Sequence, residues 1–231
     1  MPRVKNYDKL GKPSDFKNFL RVNFMERGQK INTKEEQYYG VGGFILEIIK
    51  VFFLALIIII PIRVFLFQPF FVQGASMEPN FDNNQYLIIN EFGYKQTAMP
   101  TDKLDWFTIK PFRKLDRQEV VVFRYPKNRS QFFIKRIIGL PNERVQIGEG
   151  IVTIFNKNNP DGFILDESTY LSSKLKTQGE MVITLKEDEY FVMGDNRGAS
   201  SDSRSWGPIK EVDIIGKVLL RAWPLDRISL Y

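Results

Sequence analysis

The stretch "QFFIKRIIGL", Gln131 to Leu140, decides how this chain is read. It is dense in Phe and Ile and is closed by Gly139 and Pro141, so it reads as a β-strand. Alternate side chains of a strand share a face. Phe133, Lys135 and Ile137 therefore lie on one side, and Ile134, Arg136 and Ile138 on the other. Lys135 stands among apolar neighbours, where desolvation disfavours the ammonium and lowers its pKa. An amine that is neutral near about pH 7–8 is a competent general base. Taken alone, Lys135 reads more plainly as a side chain that reaches solvent along its stem.

Similar short runs flank it, each bounded by turn residues. They are "QYLIIN" (85–90), "QEVVVFRYP" (118–126), "RVQIG" (144–148), "IVTIF" (151–155), "MVITL" (181–185), "EYFVMG" (189–194) and "IIGKVLLRAWP" (214–224). This spacing predicts a mainly β body of coiled sheets or a partly open barrel, with no long amphipathic helix. Residues 92–114 and 147–189 read as loop-rich insertions.

Upstream, "GFILEIIKVFFLALIIIIPI" (43–62) is apolar apart from Glu47 and Lys50. Twenty helical residues span about 30 Å, the thickness of a hydrocarbon core. Its start lies more than 40 residues from Met1, late for a cleaved signal peptide, and it reads as an uncleaved anchor over 43–64. Residues 1–42 hold nine Lys or Arg and five acids, whereas 22 bases nearly balance 21 acids from Gln68 onward. A basic tail ahead of an apolar run points to an anionic membrane face rather than nucleic acid. It places the N-terminus in the cytoplasm and residues 65–231 outside the membrane. Within the tail, Phe16, Phe19, Leu20 and Phe24 recur at helical spacing behind Ser14, the pattern of a short interfacial helix.

The 231 residues include no His and no Cys. That excludes a Ser-His-Asp triad, a thiol nucleophile, disulfides and a His/Cys zinc site. Ser76, in "QGASMEPNF" (73–81), needs a base to become a nucleophile. The candidates are Asp, Glu or a neutral Lys, and Ser76 alone also reads as an ordinary turn residue. A further stretch, "MGDNRGASSDSRSWG" (193–207), is dense in Gly, Ser, Asp and Asn, residues that build tight hydrogen-bonded loops.

Four stretches, in order, resemble the bacterial type I signal peptidases, membrane-bound Ser-Lys endopeptidases of peptidase family S26. They are "FLFQPFFVQGASMEPNF", "EVVVFRYP", "FIKRIIGLPNERV" and "YFVMGDNRGASSDSRSWG". The resemblance implies a catalytic domain of two coiled antiparallel sheets behind a single transmembrane helix. It assigns Ser76 as nucleophile and Lys135 as general base, with Ser200 hydrogen-bonded to the lysine and orienting it. Met77 and Pro79 shape the turn after the serine, and Gly74 and the Ser76 N–H belong to the oxyanion region. Asp202 with Arg204, and Asp195 with Arg136, form supporting ion pairs. Phe70, Val72, Phe81, Phe133 and Ile134 wall small apolar pockets.

By this resemblance the chain cuts signal peptides from exported precursors after small residues of the Ala-X-Ala type, without metal or organic cofactor. Its implied partners are secretory preproteins, the lipid bilayer and the neighbouring export translocon. Its implied place is the bacterial plasma (inner) membrane, spanned once. Gln118-Glu119 and Asn142-Glu143 stand where the family commonly has Gly-Asp. Other readings are a related peptidase that matures conjugative pilins, or a non-catalytic single-pass scaffold. SOS-repressor-type autoproteases share the chemistry but carry a DNA-binding domain and no anchor.

Overall fold

A computed structural model describes residues 40–98, 108–172 and 175–231. By packing, the chain divides at Leu54/Ala55, and the two units are taken separately. Helix α1 (Val41–Phe65) begins in the first unit and ends in the second. It is apolar all round, and its Val41–Arg63 stretch has a mean hydropathy of 2.8 with none of it buried in the protein. Such a helix is long and apolar enough to cross a membrane, where the helix satisfies every backbone group internally. The helix covers residues 43–64, where the anchor was expected. The interfacial helix expected near Phe16–Phe24 lies outside the described residues.

The second unit is built from strands. They are β1 (Phe67–Phe71), β2 (Tyr86–Asn90), β3 (Thr97–Ala98), β4 (Thr108–Ile109), β5 (Val120–Tyr125), β6 (Asn128–Gly139), β7 (Arg144–Gly148), β8 (Ile151–Asn156), β9 (Asn159–Ile164), β10 (Met181–Thr184), β11 (Glu189–Met193), β12 (Ile209–Lys210), β13 (Ile214–Trp223) and β14 (Ser229–Leu230). A short helix, α2 (Ser203–Trp206), precedes β12. One sheet runs β1-β2-β13-β5-β6-β11-β12, with β14 added on β13, and a second runs β10-β7-β8-β9. β3 and β4 form a separate pair. Every pairing is antiparallel.

The fold is thus the expected mainly β body with two antiparallel sheets. One detail differs from the expectation. Residues 147–189, expected to be loop-rich, hold β8, β9 and β10 of the second sheet. β9 escapes a sequence reading because Pro160 and Gly162 interrupt it. It pairs only with β8, and an edge strand tolerates a proline that donates no ladder hydrogen bond. β1, with Pro69, is the corresponding edge of the first sheet.

β6 meets three apolar cores. Ile134 packs against the cluster of Val72, Met77, Phe81 and Val122. Phe133 packs against Val121, Phe123 and Ile137. Ile138 joins Val145, Ile154 and Phe191 beneath the second sheet. The strand that carries Lys135 is therefore fixed from several sides. Gln118 and Asn142, where the resembled family has glycine, both have positive φ, 70° and 63°. That conformation suits glycine, and asparagine tolerates it better than glutamine does.

Candidate active site

Ser76 sits in the turn between β1 and β2, and Lys135 on β6. Pairing of Lys135 with Val121 of β5 sets its place in the sheet. Lys135 is 3% exposed. Its Nζ donates to Ser76 Oγ at 2.6 Å and to Ile134 O at 2.8 Å. Burial lowers its pKa to about 8, against the opposing pull of the Asp202 and Asp195 carboxylates. Desolvation outweighs these two charges, each of which is also paired with an arginine.

Asp195, fully buried, accepts from Arg136 at 2.8 and 2.6 Å. Asp202, also fully buried, accepts from Arg204 Nε at 2.9 Å and Nη2 at 2.8 Å, and from the Gly194 N–H at 3.0 Å. Burial pushes the Asp202 carboxyl up, but bonds from Arg204 and Gly194, with the Arg204 charge, outweigh it and hold the pKa below the ordinary value. Both ion pairs read from the sequence are thus present.

The third polar expectation needs correction. Ser200 Oγ is buried but makes no hydrogen bond of good geometry among the described residues, and none to Lys135. The Ile134 carbonyl takes the orienting place, since it lies within reach of the lysine's own side chain. Gly194 lets the Ser200 and Ser76 segments close together. A Cβ there would fall 2.2 Å from Ser200 Oγ and 2.4 Å from Ser76 O.

A cleft of about 710 Å³ opens beside the pair. Phe70, Val72, Phe133 and Ile134 line it, with Gly74, Ser76, Lys135, Leu87, Val122 and Phe132 among the other lining residues. Phe81, expected on its wall, is instead wholly buried in the core beside Val72 and Met77, with the Tyr231 ring tilted against it at 4.8 Å between centroids. Met77 is likewise buried, and its carbonyl accepts from the Phe81 N–H at 2.9 Å. The Glu78–Pro79 bond is cis. Gly74 has φ +92°, and its N–H is taken by Asn83 Oδ1 at 2.9 Å.

Several contributing residues were missed by the sequence reading. Arg197 is buried and binds Glu167 at 2.5 and 3.0 Å, Thr177 Oγ1, and Gly194 O at 3.1 Å. This joins the 194–204 loop to the segment between β9 and β10. Asn80 Nδ2 donates to Asp195 Oδ2 at 2.9 Å and to Tyr170 O at 2.7 Å. Arg197 lay in view inside "GDNR", but its partners 20 and 30 residues away left no local signal.

An amine held at 2.6 Å from a hydroxyl, beside an apolar cleft, can exchange a proton with it. The sequence model of the family described as signal peptidase, peptidase S26, matches residues 45–223. The chain belongs to this family, and so to the peptidases. It is similar to a probable signal peptidase I-2 of Synechocystis sp., 32% identical over 80% of this chain and 76% of that protein. It is similar to signal peptidase I P of Bacillus subtilis subsp. natto, 32% identical over 80% of this chain and 92% of the relative. Signal peptidase I of Pseudomonas aeruginosa is 28% identical over 80% and 75%. A crystal structure of a signal peptidase I from Enterococcus faecalis covers 46% of this chain and 97% of its own, at 29% identity and a TM-score of 0.38.

Proposed function

We propose that this chain acts as a signal peptidase I. It removes N-terminal signal peptides from exported precursors with Ser76 as nucleophile and Lys135 as general base. The observation that carries the reading is the 2.6 Å contact between the Lys135 amine and the Ser76 hydroxyl, in a site where burial disfavours the ammonium. At the ordinary lysine pKa only about one amine in 2,500 is neutral at pH 7, whereas a pKa of about 8 leaves about one in ten. The depression thus raises the population of the competent base by more than two orders of magnitude.

The precursor enters extended and adds its backbone to strand edges bordering the cleft, β1 and the first half of β6. Below Arg136, β6 pairs only with β5 among the described residues, which leave its other edge open there. Small side chains one and three residues before the cut fit the apolar walls at Phe70, Val72, Phe133 and Ile134. Lys135 takes the Ser76 proton as Oγ attacks the carbonyl. The negative oxygen is held by backbone N–H groups, that of Ser76 among them. The lysine then gives its proton to the leaving amine, and the signal peptide remains as an ester on Ser76. In the second half Lys135 deprotonates water, which attacks the ester, and the proton returns to Ser76.

α1 anchors the domain beside its substrate. The basic tail stays in the cytoplasm and the β domain faces outward, so external protease added to spheroplasts should digest the β domain and spare the tail. Digestion of the tail alone contradicts this orientation. The activity is tested with purified full-length protein in detergent and a precursor with Ala one and three residues before the cut. One cut after the second Ala is expected, and none when that Ala is replaced by Phe. Equal cutting of the Phe precursor at the same bond contradicts the pocket reading. Folded protein that cuts neither precursor contradicts the activity.

A further inference from the structure

Asn196 grips the Ser76 loop from behind. Its side-chain Nδ2 donates to Ala75 O at 3.1 Å, and its backbone N–H donates to Ser76 O at 3.0 Å. Ala75 O also accepts the Glu78 N–H at 3.2 Å. The Ala75–Ser76 bond is trans, so its C=O and N–H point to opposite sides of one plane. Holding the Ala75 carbonyl toward Asn196 therefore turns the Ser76 N–H away from Asn196. The same relation links the Ser76 carbonyl and the Met77 N–H. The Ser76 N–H finds no acceptor among the described residues. Ala75 and Ser76 line the cleft, and Asn196 does not.

The grip is itself anchored on both sides. Asp195, preceding Asn196, is held by two bonds from Arg136 and one from Asn80. Arg197, following it, is held by Glu167, Thr177 and the Gly194 carbonyl.

We infer that Asn196 is a positioning residue for the oxyanion hole: its two donors fix the Ala75 and Ser76 carbonyls and so aim the Ser76 N–H at the charge that develops on the substrate oxygen. The inference rests on the acyl-transfer reading above and adds to it what holds the donor in place. A donor aimed in advance acts on the transition state more than on bound substrate, so its loss appears in kcat rather than KM.

The test compares wild type with Asn196→Ala and Asn196→Asp, each checked for folding by thermal unfolding. Asp keeps the size of Asn but loses the Nδ2 donor. Both variants should lose roughly 10–100-fold in kcat with KM within about 2-fold. In Asn196→Ala the pH dependence of kcat/KM should not move, because Lys135 is untouched and no charge is added. A substrate-like peptide aldehyde, whose adduct with Ser76 carries the oxyanion, should lose a similar factor in affinity. A peptide with a reduced scissile bond, which forms no oxyanion, should bind as before. Unchanged kcat, equal losses for aldehyde and reduced peptide, or a shifted pH profile in Asn196→Ala each overturn the inference while leaving the acyl-transfer reading intact. Wild-type protein that neither cuts the precursor nor captures the aldehyde overturns both.

Discussion

The two faces of β6 treat adjacent cations in opposite ways. Arg136 reaches a fully buried carboxylate and binds it through two nitrogens, at 2.8 and 2.6 Å. Lys135 is buried as deeply but bonds only a hydroxyl and a carbonyl. The guanidinium is matched by a paired anion, and planar two-nitrogen binding suits that partner. The amine meets no such offset, so burial drives it toward its neutral form. Asp195 and Asp202 lie close enough to oppose that shift, yet Arg136 and Arg204 occupy them.

The largest expected effect comes from making the two faces alike. Lys135→Arg places a group that cannot lose its proton against Ser76. Cleavage should fall by about 10³-fold or more, the scale of a lost general base acting as one unit with its nucleophile. Steady-state kinetics on folded protein checks this. Next comes Arg136→Met, which strands Asp195 without its partner. Chemical denaturation should show a loss of about 3–5 kcal/mol, as for a broken buried pair.

Smallest, and opposite in sign, is Lys135→Met. The fall in pKa from 10.5 to about 8 corresponds to a stability cost on the order of 3 kcal/mol. Between these pKa values the unfolded chain holds the proton and the folded one does not, so stability rises with pH. The cost is fully present below about 8 and gone above 10.5. Replacing the amine with an apolar side chain should therefore stabilise the protein at pH 7, by about 1–3 kcal/mol, while abolishing cleavage. Unfolding curves at pH 7 and pH 10 should show that gain shrinking at the higher pH.

What the sequence disclosed follows the range of the physics involved. β2, β5, β6, β7 and β13 announced themselves, because apolar β-formers bounded by turns are local signals. The two-residue period put Lys135 on one face with Phe133 and Ile137, but alone it favoured a side chain reaching solvent, and its burial came only from the packed sheet. β9 was not, since Pro160 and Gly162 are acceptable only on an edge, and edges are defined by which strands pair. Phe81 failed for a related reason. It stands in the nucleophile segment beside residues that do line the cleft, but the turn at Met77–Phe81 rotates it into the core under Tyr231. Ser200 failed at the scale of a single rotamer, which pattern cannot resolve. The Arg197–Glu167–Thr177 cluster joins segments far apart in the chain, and no spacing rule reaches that far.

The central claim is that burial makes Lys135 a base at working pH, and its titration tests this most directly. The measurement is kcat/KM for an Ala-X-Ala precursor from pH 5.5 to 10.5, with folding followed at each pH. Rates should rise through one ionisation near 8 and level off above it, since only the neutral amine accepts the Ser76 proton. A rate still climbing toward 10.5, as an ordinary exposed lysine requires, would contradict the account.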